Sequence, residues 1–356
     1  MADEIESNTT TTAAANENPA DNKLNVNIFF AIFLPCLSMA IVVGNVMIIV
    51  AFWKVPSLLD KASEYLILNL SIIDLLTGLL VLPVQSIVFI VPGYWPLGEI
   101  GCRLQAISLQ TNMYAALFTL IAISTDRLLL VLKEYPVYLK MQSLPRIRIY
   151  IILIWLLAFS AAMVEQILWN PAKLLEQAAA DIDFTKTCLT PPRRLRAYTL
   201  SVFLMVYFAP VIAVCILSTS FLVLLGKRLK KTSASPASGT ASTALAPEPN
   251  SNEPIVPAPS VQPKSKPPSS RNRYIKPAVS LMAVVVSMAI CMLPYCFYVM
   301  IINLICPTCN SPRKLFSLLL LQFCNACLDP LLYGMTHKKI RLFYHSFFAR
   351  NIIRPL

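Results

Sequence analysis

Two aspartates stand where carboxylates are rare. Asp74 and Asp329 each lie inside a long apolar run, and an ionisable group at such a depth needs polar company. Asn45, in a run of its own, and Asn325, in the same run as Asp329, are the candidates to supply it. Two acids brought together favour uptake of one proton or binding of a cation. A second feature is Asp126 beside Arg127 at the end of another run. The carboxylate can hold the guanidinium, or the arginine can simply reach the membrane surface. The chain has ten cysteines and two histidines. His337 and His345 both follow the last apolar run, so neither is placed to activate a nucleophile or hold a metal within the runs. Cys306 and Cys309 form a CxxC pair, which could read as zinc or redox chemistry, but no second ligand pair accompanies it.

The elements that carry these side chains follow from composition. Of 356 residues, 56% are hydrophobic and 13% charged, against about 25% charged in soluble domains. That excludes a disordered, collagenous or ordinary cytosolic protein. The apolar runs cover 28–53, 65–92, 100–132, 149–169, 198–225, 277–305 and 315–335. A helical span needs about 20 apolar residues, so the expected fold is all-α, a bundle of seven transmembrane helices. The second, third and seventh runs carry polar residues and should face protein rather than lipid. Pro210, Pro294 and Pro330 each remove a helix hydrogen bond and permit a kink.

Charge gives the orientation. Residues 1–26 hold Asp3, Glu4, Glu6, Glu17 and Asp21 against Lys23 alone, unlike a cleaved signal peptide. We read them as a retained extracellular tail. With that end outside, 21 of the 30 Lys and Arg fall on inner segments, as the positive-inside rule requires. The net charge of +12 therefore lies along a cytoplasmic surface, where it can meet anionic membrane lipids. Nucleic acid is not expected as a partner. The expected domains are the tail 1–26, a transmembrane region 27–335 and a cytoplasmic tail 336–356. Segment 226–276 is the third inner loop. Its middle has nine of the chain's 27 prolines and no aromatic residue, so it should lack a packed fold. The loop is a bare linker or, through its exposed serines and threonines, a partner or phosphorylation segment. Beyond Tyr333, the segment 337–348 alternates an apolar stripe with Lys338, Lys339 and Arg341, which predicts an amphipathic helix on the inner leaflet.

With these motifs in register the chain resembles a rhodopsin-type (class A) G-protein-coupled receptor. The motifs are Gly44-Asn45, Leu70-Ser71-Ile72-Ile73-Asp74, Asp126-Arg127-Leu128, Trp155, Pro210, Cys291-Met292-Leu293-Pro294 and Asp329-Pro330-Leu331-Leu332-Tyr333. There is one set per span, in order. The resemblance implies a disulfide between Cys102 and Cys188. It implies coupling through Asp126, Arg127 and Tyr333, and a polar cluster of Asn45, Asp74, Asn325 and Asp329 able to hydrate a sodium ion at Asp74. No other cofactor is expected. A short Cys306–Cys309 bridge is plausible in the third outer loop. Asn8-Thr9-Thr10 is an outward glycosylation sequon; Asn69-Leu70-Ser71 also matches but lies inside a span. Implied partners are a heterotrimeric G protein and an extracellular small-molecule ligand, at the plasma membrane.

The outer loops, with Tyr94-Trp95-Pro96-Leu97-Gly98 before Cys102, are similar to those of muscarinic and histamine-type amine receptors. The pocket departs from that type. Leu109 stands where amine receptors carry an aspartate, and no acid lies between Cys102 and Thr125. By family position the ligand meets Leu109, Gln110, Met113, Val202, Val206, Tyr295, Cys296, Leu319 and Phe323, an apolar lining suited to a neutral ligand. Glu165 is the only acidic substitute in a span, and otherwise a polar helix-end residue. Met292, Met288 and Ser218 replace a usual tryptophan, phenylalanine and tyrosine, which implies an altered resting equilibrium. Asp329 replaces a usual asparagine, and Ala116 a serine. An orphan or peptide-responsive receptor is the alternative within the class. A retinal photoreceptor needs a lysine where Phe323 stands. An intramembrane aspartyl protease could use Asp74 with Asp329, but Asp329 lacks a glycine-rich flank. A transporter should show paired repeats, and none is visible. The expectation is a receptor, not an enzyme.

Overall fold

The computed structural model describes residues 19–90, 94–168, 188, 204, 208–234, 270–305 and 312–353. Among the described residues, seven helices are long and apolar enough to cross a bilayer: Ile28–Lys54, Glu64–Ile87, Gly98–Leu132, Leu144–Val164, Ala209–Lys230, Met282–Ile301 and Ser317–Thr336. Each falls on an expected run. Among the described residues there is no strand, as a lipid-exposed backbone demands, because a helix satisfies its own N–H and C=O groups. The first helix begins at Pro19, ahead of the expected boundary at 27, although its apolar part starts at Ile28.

Span three is the axis of the bundle. It touches spans two, four, five and six. Small residues permit the close approach: Ala158 and Ala162, one turn apart on span four, are fully buried with Tyr114 and Ala115 of span three. Polar ties reinforce this seam. Trp155 Nε1 donates to Asn69 Oδ1, and Asn69 Nδ2 donates to Thr119 Oγ1, both at 2.9 Å. Asn69 is thus buried among helices, as expected for a sequon that cannot be glycosylated.

Spans one, two and seven meet where the prolines fall. Pro330 has no N–H to give the Ala326 carbonyl one turn earlier. Asn45 Nδ2 donates to that carbonyl instead, at 3.0 Å, and also to Ile41 O. Gly44 makes the contact feasible, since a Cβ there would lie 3.0 Å from Pro330 Cγ. Span two loosens to a π turn over Thr77–Val81, just before Pro83. Ser38 Oγ donates to the Gly78 carbonyl at 2.6 Å. Leu204 and Phe208, ahead of Pro210, are also in π geometry.

Two short elements complete the ends. Trp95 is buried, and its Nε1 donates to Gly98 O at 2.7 Å; Gly98 has φ 60°, a conformation that costs glycine little. The disulfide joins Cys102 to Cys188 with a Cα–Cα distance of 5.4 Å. Helix Tyr135–Met141 follows span three, an element absent from the sequence expectation. Helix Lys338–Ile353 follows span seven. Its Phe347 and Phe348 are exposed, and Lys339 reaches the Ser57 carbonyl and Asp60. Trp53 lies at the end of span one, with Lys54 Nζ 4.7 Å from its ring centre.

Candidate functional site

The polar centre forms around Asp74. A cavity of about 80 Å³ is lined by Asp74, Asn112, Ala116, Gln322 and Asn325, with Leu109, Met113 and Phe323 toward its outer end and Met288 and Met292 beside it. Asp74 and Asp329 are neighbours. Both are buried. The region is rich in acceptors that lack donors: Asn45 Oδ1, Asp74 Oδ2, Asn112 Oδ1, Gln322 Oε1 and both Asp329 oxygens accept no hydrogen bond. Asn325 Oδ1 accepts from Ser287 Oγ at 3.0 Å. Oxygen acceptors without donors fit a hard cation, a shared proton or water. The cavity has room for water molecules among these polar groups. Asn112 and Gln322 were not singled out from sequence; their signal was an amide within an apolar run.

The expected ligand residues divide. Leu109, Met113 and Phe323 share the central cavity. Leu109 and Leu319 pack with buried Phe323, whereas Cys296 and Met113 belong to the inner core cluster. Gln110 and Tyr295 are outside the cavity lining. Val202 and Val206 lie outside the described residues, as do Cys306, Cys309 and Asn8, and the Glu165 side chain is likewise not described.

The inner end of span three forms a second polar centre. Arg127 is 6% and Asp126 3% exposed. Arg127 Nη1 lies 3.3 Å from Asp126 Oδ2, while Tyr138 Oη donates to Asp126 Oδ1 at 3.0 Å. Burial, and then the carboxylate at Asp126, hold the Tyr138 phenol well above its ordinary range, so it stays a donor. The short helix Tyr135–Met141 therefore exists in part to bring Tyr138 under Asp126. Arg228 from span five donates to the Val131 carbonyl, satisfying an end carbonyl of span three. Ser218, where a tyrosine is usual, is buried with its hydroxyl 3.4 Å from that of Ser124. Tyr333 is 1% exposed, and its hydroxyl has no hydrogen-bond partner. Its ring meets His337 edge-on at 6.1 Å.

The two buried acids are close enough to have formed the pair that a protease reading requires. Comparison with known proteins decides against it. The family model described as "7 transmembrane receptor (rhodopsin family)" matches residues 44–333. The muscarinic acetylcholine receptor M4 of Gallus gallus is 30% identical over 46% of this chain and 31% of its own length. The 5-hydroxytryptamine receptor 1B of Vulpes vulpes is 24% identical over 90% of this chain and 86% of its own length. The 5-hydroxytryptamine receptor 2B of Dichotomyctere fluviatilis is 30% identical over 34% of this chain and 25% of its own length. The chain thus spans about a third of the muscarinic relative. The family match covers the polar centre, the span-three arginine and Tyr333 together: the chain belongs to the rhodopsin family of seven-transmembrane receptors and is not an enzyme.

Proposed function

We propose that this receptor lies in the plasma membrane with its N-terminus outside and transmits binding of an extracellular ligand to a heterotrimeric G protein. The observation that carries this reading is the Asp126–Arg127–Tyr138 cluster. A guanidinium is buried at the cytoplasmic end of the central helix, held by a single adjacent carboxylate. Such a group is ready to turn outward to a partner when the helices part. A ligand acts by favouring the parted state, and it can shift the equilibrium only by its difference in affinity for the two states. The test is Arg127→Ala in cells: coupling is lost while surface staining persists. Normal coupling in that variant removes Arg127 from the mechanism.

The relatives' names give acetylcholine and 5-hydroxytryptamine as ligands of those proteins. Here Leu109 and the acid-free stretch of span three offer an amine no counter-charge, so the ligand is neutral or weakly polar. Amines compete poorly, and neutral lipophiles are the first compounds to screen. The donor-poor oxygens around Asp74, Asp329 and Asn45 fit a sodium ion or a shared proton. Ala116 withholds one hydroxyl from a sodium shell, and Asp329 adds a carboxylate.

A second reading concerns the resting state. Met288 and Met292 line the wall between the two centres, and methionine specifies rotamers weakly. With Ser218 in place of a phenol, the receptor has raised basal activity or weakened coupling, as an orphan or peptide-responsive member of the class would tolerate.

A further inference from the structure

Span six turns a recessed apolar face outward. Val279, Ala283, Val286 and Ile290 follow at intervals of four, three and four residues, so they form one stripe of helix Ser270–Leu304. With Leu222 of span five and Leu328 of span seven they line a groove of about 630 Å³. The groove lies on the outside of the bundle: Val286 is 49% and Ile290 62% exposed. Its floor reaches Cys291, which is buried and also lines the central cavity. Ser287 carries the one hydroxyl of the lining, and donates it to Asn325 Oδ1 of span seven at 3.0 Å. That bond ties two walls of the groove together and leaves an apolar surface. Such a surface accepts an aliphatic chain and penalises an unpaired polar group.

Length and charge name the occupant. Val279 to Ile290 rises about 17 Å along a helix, against about 15 Å for the hydrocarbon of one leaflet. The Val279 end is the basic end. Lys276 comes one turn before Val279 in the same helix. On span five, Leu222 is followed by Lys227 and Lys230, both exposed. Residues 226–234, 270–276 and 332–348 follow or precede the three walls on that side, and none of them is a carboxylate. An anionic headgroup therefore meets no acid from these segments and supplies a counter-charge to their lysines.

We infer that this groove binds one anionic phospholipid of the inner leaflet, of the phosphatidylserine class, with an acyl chain laid along span six and its headgroup at the Lys276 end. The inference deepens the proposed function by adding a lipid partner, and it rests on the orientation proposed there, which puts that end inside.

The test is native mass spectrometry of the full chain, delipidated in detergent and offered phosphatidylserine or phosphatidylcholine with identical chains. The parent should retain one phosphatidylserine in preference to phosphatidylcholine. Lys276→Gln should weaken that retention about fivefold, the scale of one cation near an anionic lipid surface. Ala283→Phe fills the groove and should abolish retention of either lipid; Val286→Trp serves if Ala283→Phe does not fold. Equal retention of the two lipids by the parent overturns the inference, as does retention unchanged in Lys276→Gln. Phosphatidylserine that survives the groove fillings marks contact with the basic surface alone and also overturns it. Cholesterol retained by the parent with no preference for phosphatidylserine assigns the groove to a sterol instead. An epitope inserted after Asn250 tests the orientation separately. Staining of intact cells refutes the orientation and the inner-leaflet source, while the lipid counts still decide whether the groove binds.

Discussion

Asn45 shows how one side chain can complete a backbone that proline leaves incomplete. It is fully buried, and its amide donates to the carbonyl freed by Pro330. Asn45→Ala leaves that carbonyl unpaired, at a cost of about 1–3 kcal/mol, and thermal unfolding in detergent should register the loss. His337 gives a pH dependence. Its folded-state pKa lies below the ordinary 6.5, so the unfolded chain binds more protons over the window between the two values. Stability is full above about pH 6.5 and falls as pH drops through that window. His337→Gln should flatten the slope of unfolding temperature against pH; an unchanged slope would remove His337 as its source. At the polar centre, sodium chloride in place of choline chloride should raise the unfolding temperature by mass action. Asp74→Ala should abolish the difference. A salt effect that survives this substitution places the cation elsewhere.

At the scale of elements, spans one and seven depend on the missing Cβ of Gly44. Gly44→Val forces the Pro330 ring away and should destabilise the protein by about 1–3 kcal/mol, read as lost folded yield and a lower unfolding temperature. The spans themselves were legible in sequence because lipid leaves a helix few alternatives. The short helix Tyr135–Met141 was not. It is too brief to show periodicity, and its reason for forming is tertiary, in the hydrogen bond from Tyr138 to Asp126. The π turn at Thr77–Val81 was hidden for a similar reason: Pro83 announces a break, but the Ser38 contact that fixes its form lies 40 residues away.

For the whole molecule, sidedness and switching are the two large claims. The proposed orientation rests on the basic excess and the acidic N-terminal tail, and the Cys102–Cys188 disulfide suits an oxidising outer face. The site was legible to the extent that it rests on residue type: Asp74, Asp329, Asp126 and Arg127 stood out because charges inside apolar runs are rare. The acceptor-rich cavity did not, because its surplus of oxygens emerges only when Asn45, Asn112 and Gln322 converge from different spans. Met292 reports on switching. Met292→Trp restores a rigid side chain between the two polar centres and should lower ligand-free signalling; signalling that stays the same would assign the resting equilibrium to other residues. The most direct measurement is nucleotide release from purified heterotrimeric G protein mixed with the receptor in nanodiscs. Release faster than with empty nanodiscs, and lost in Arg127→Ala, is the expected result. No acceleration with any G-protein class, or equal acceleration by Arg127→Ala, contradicts the account.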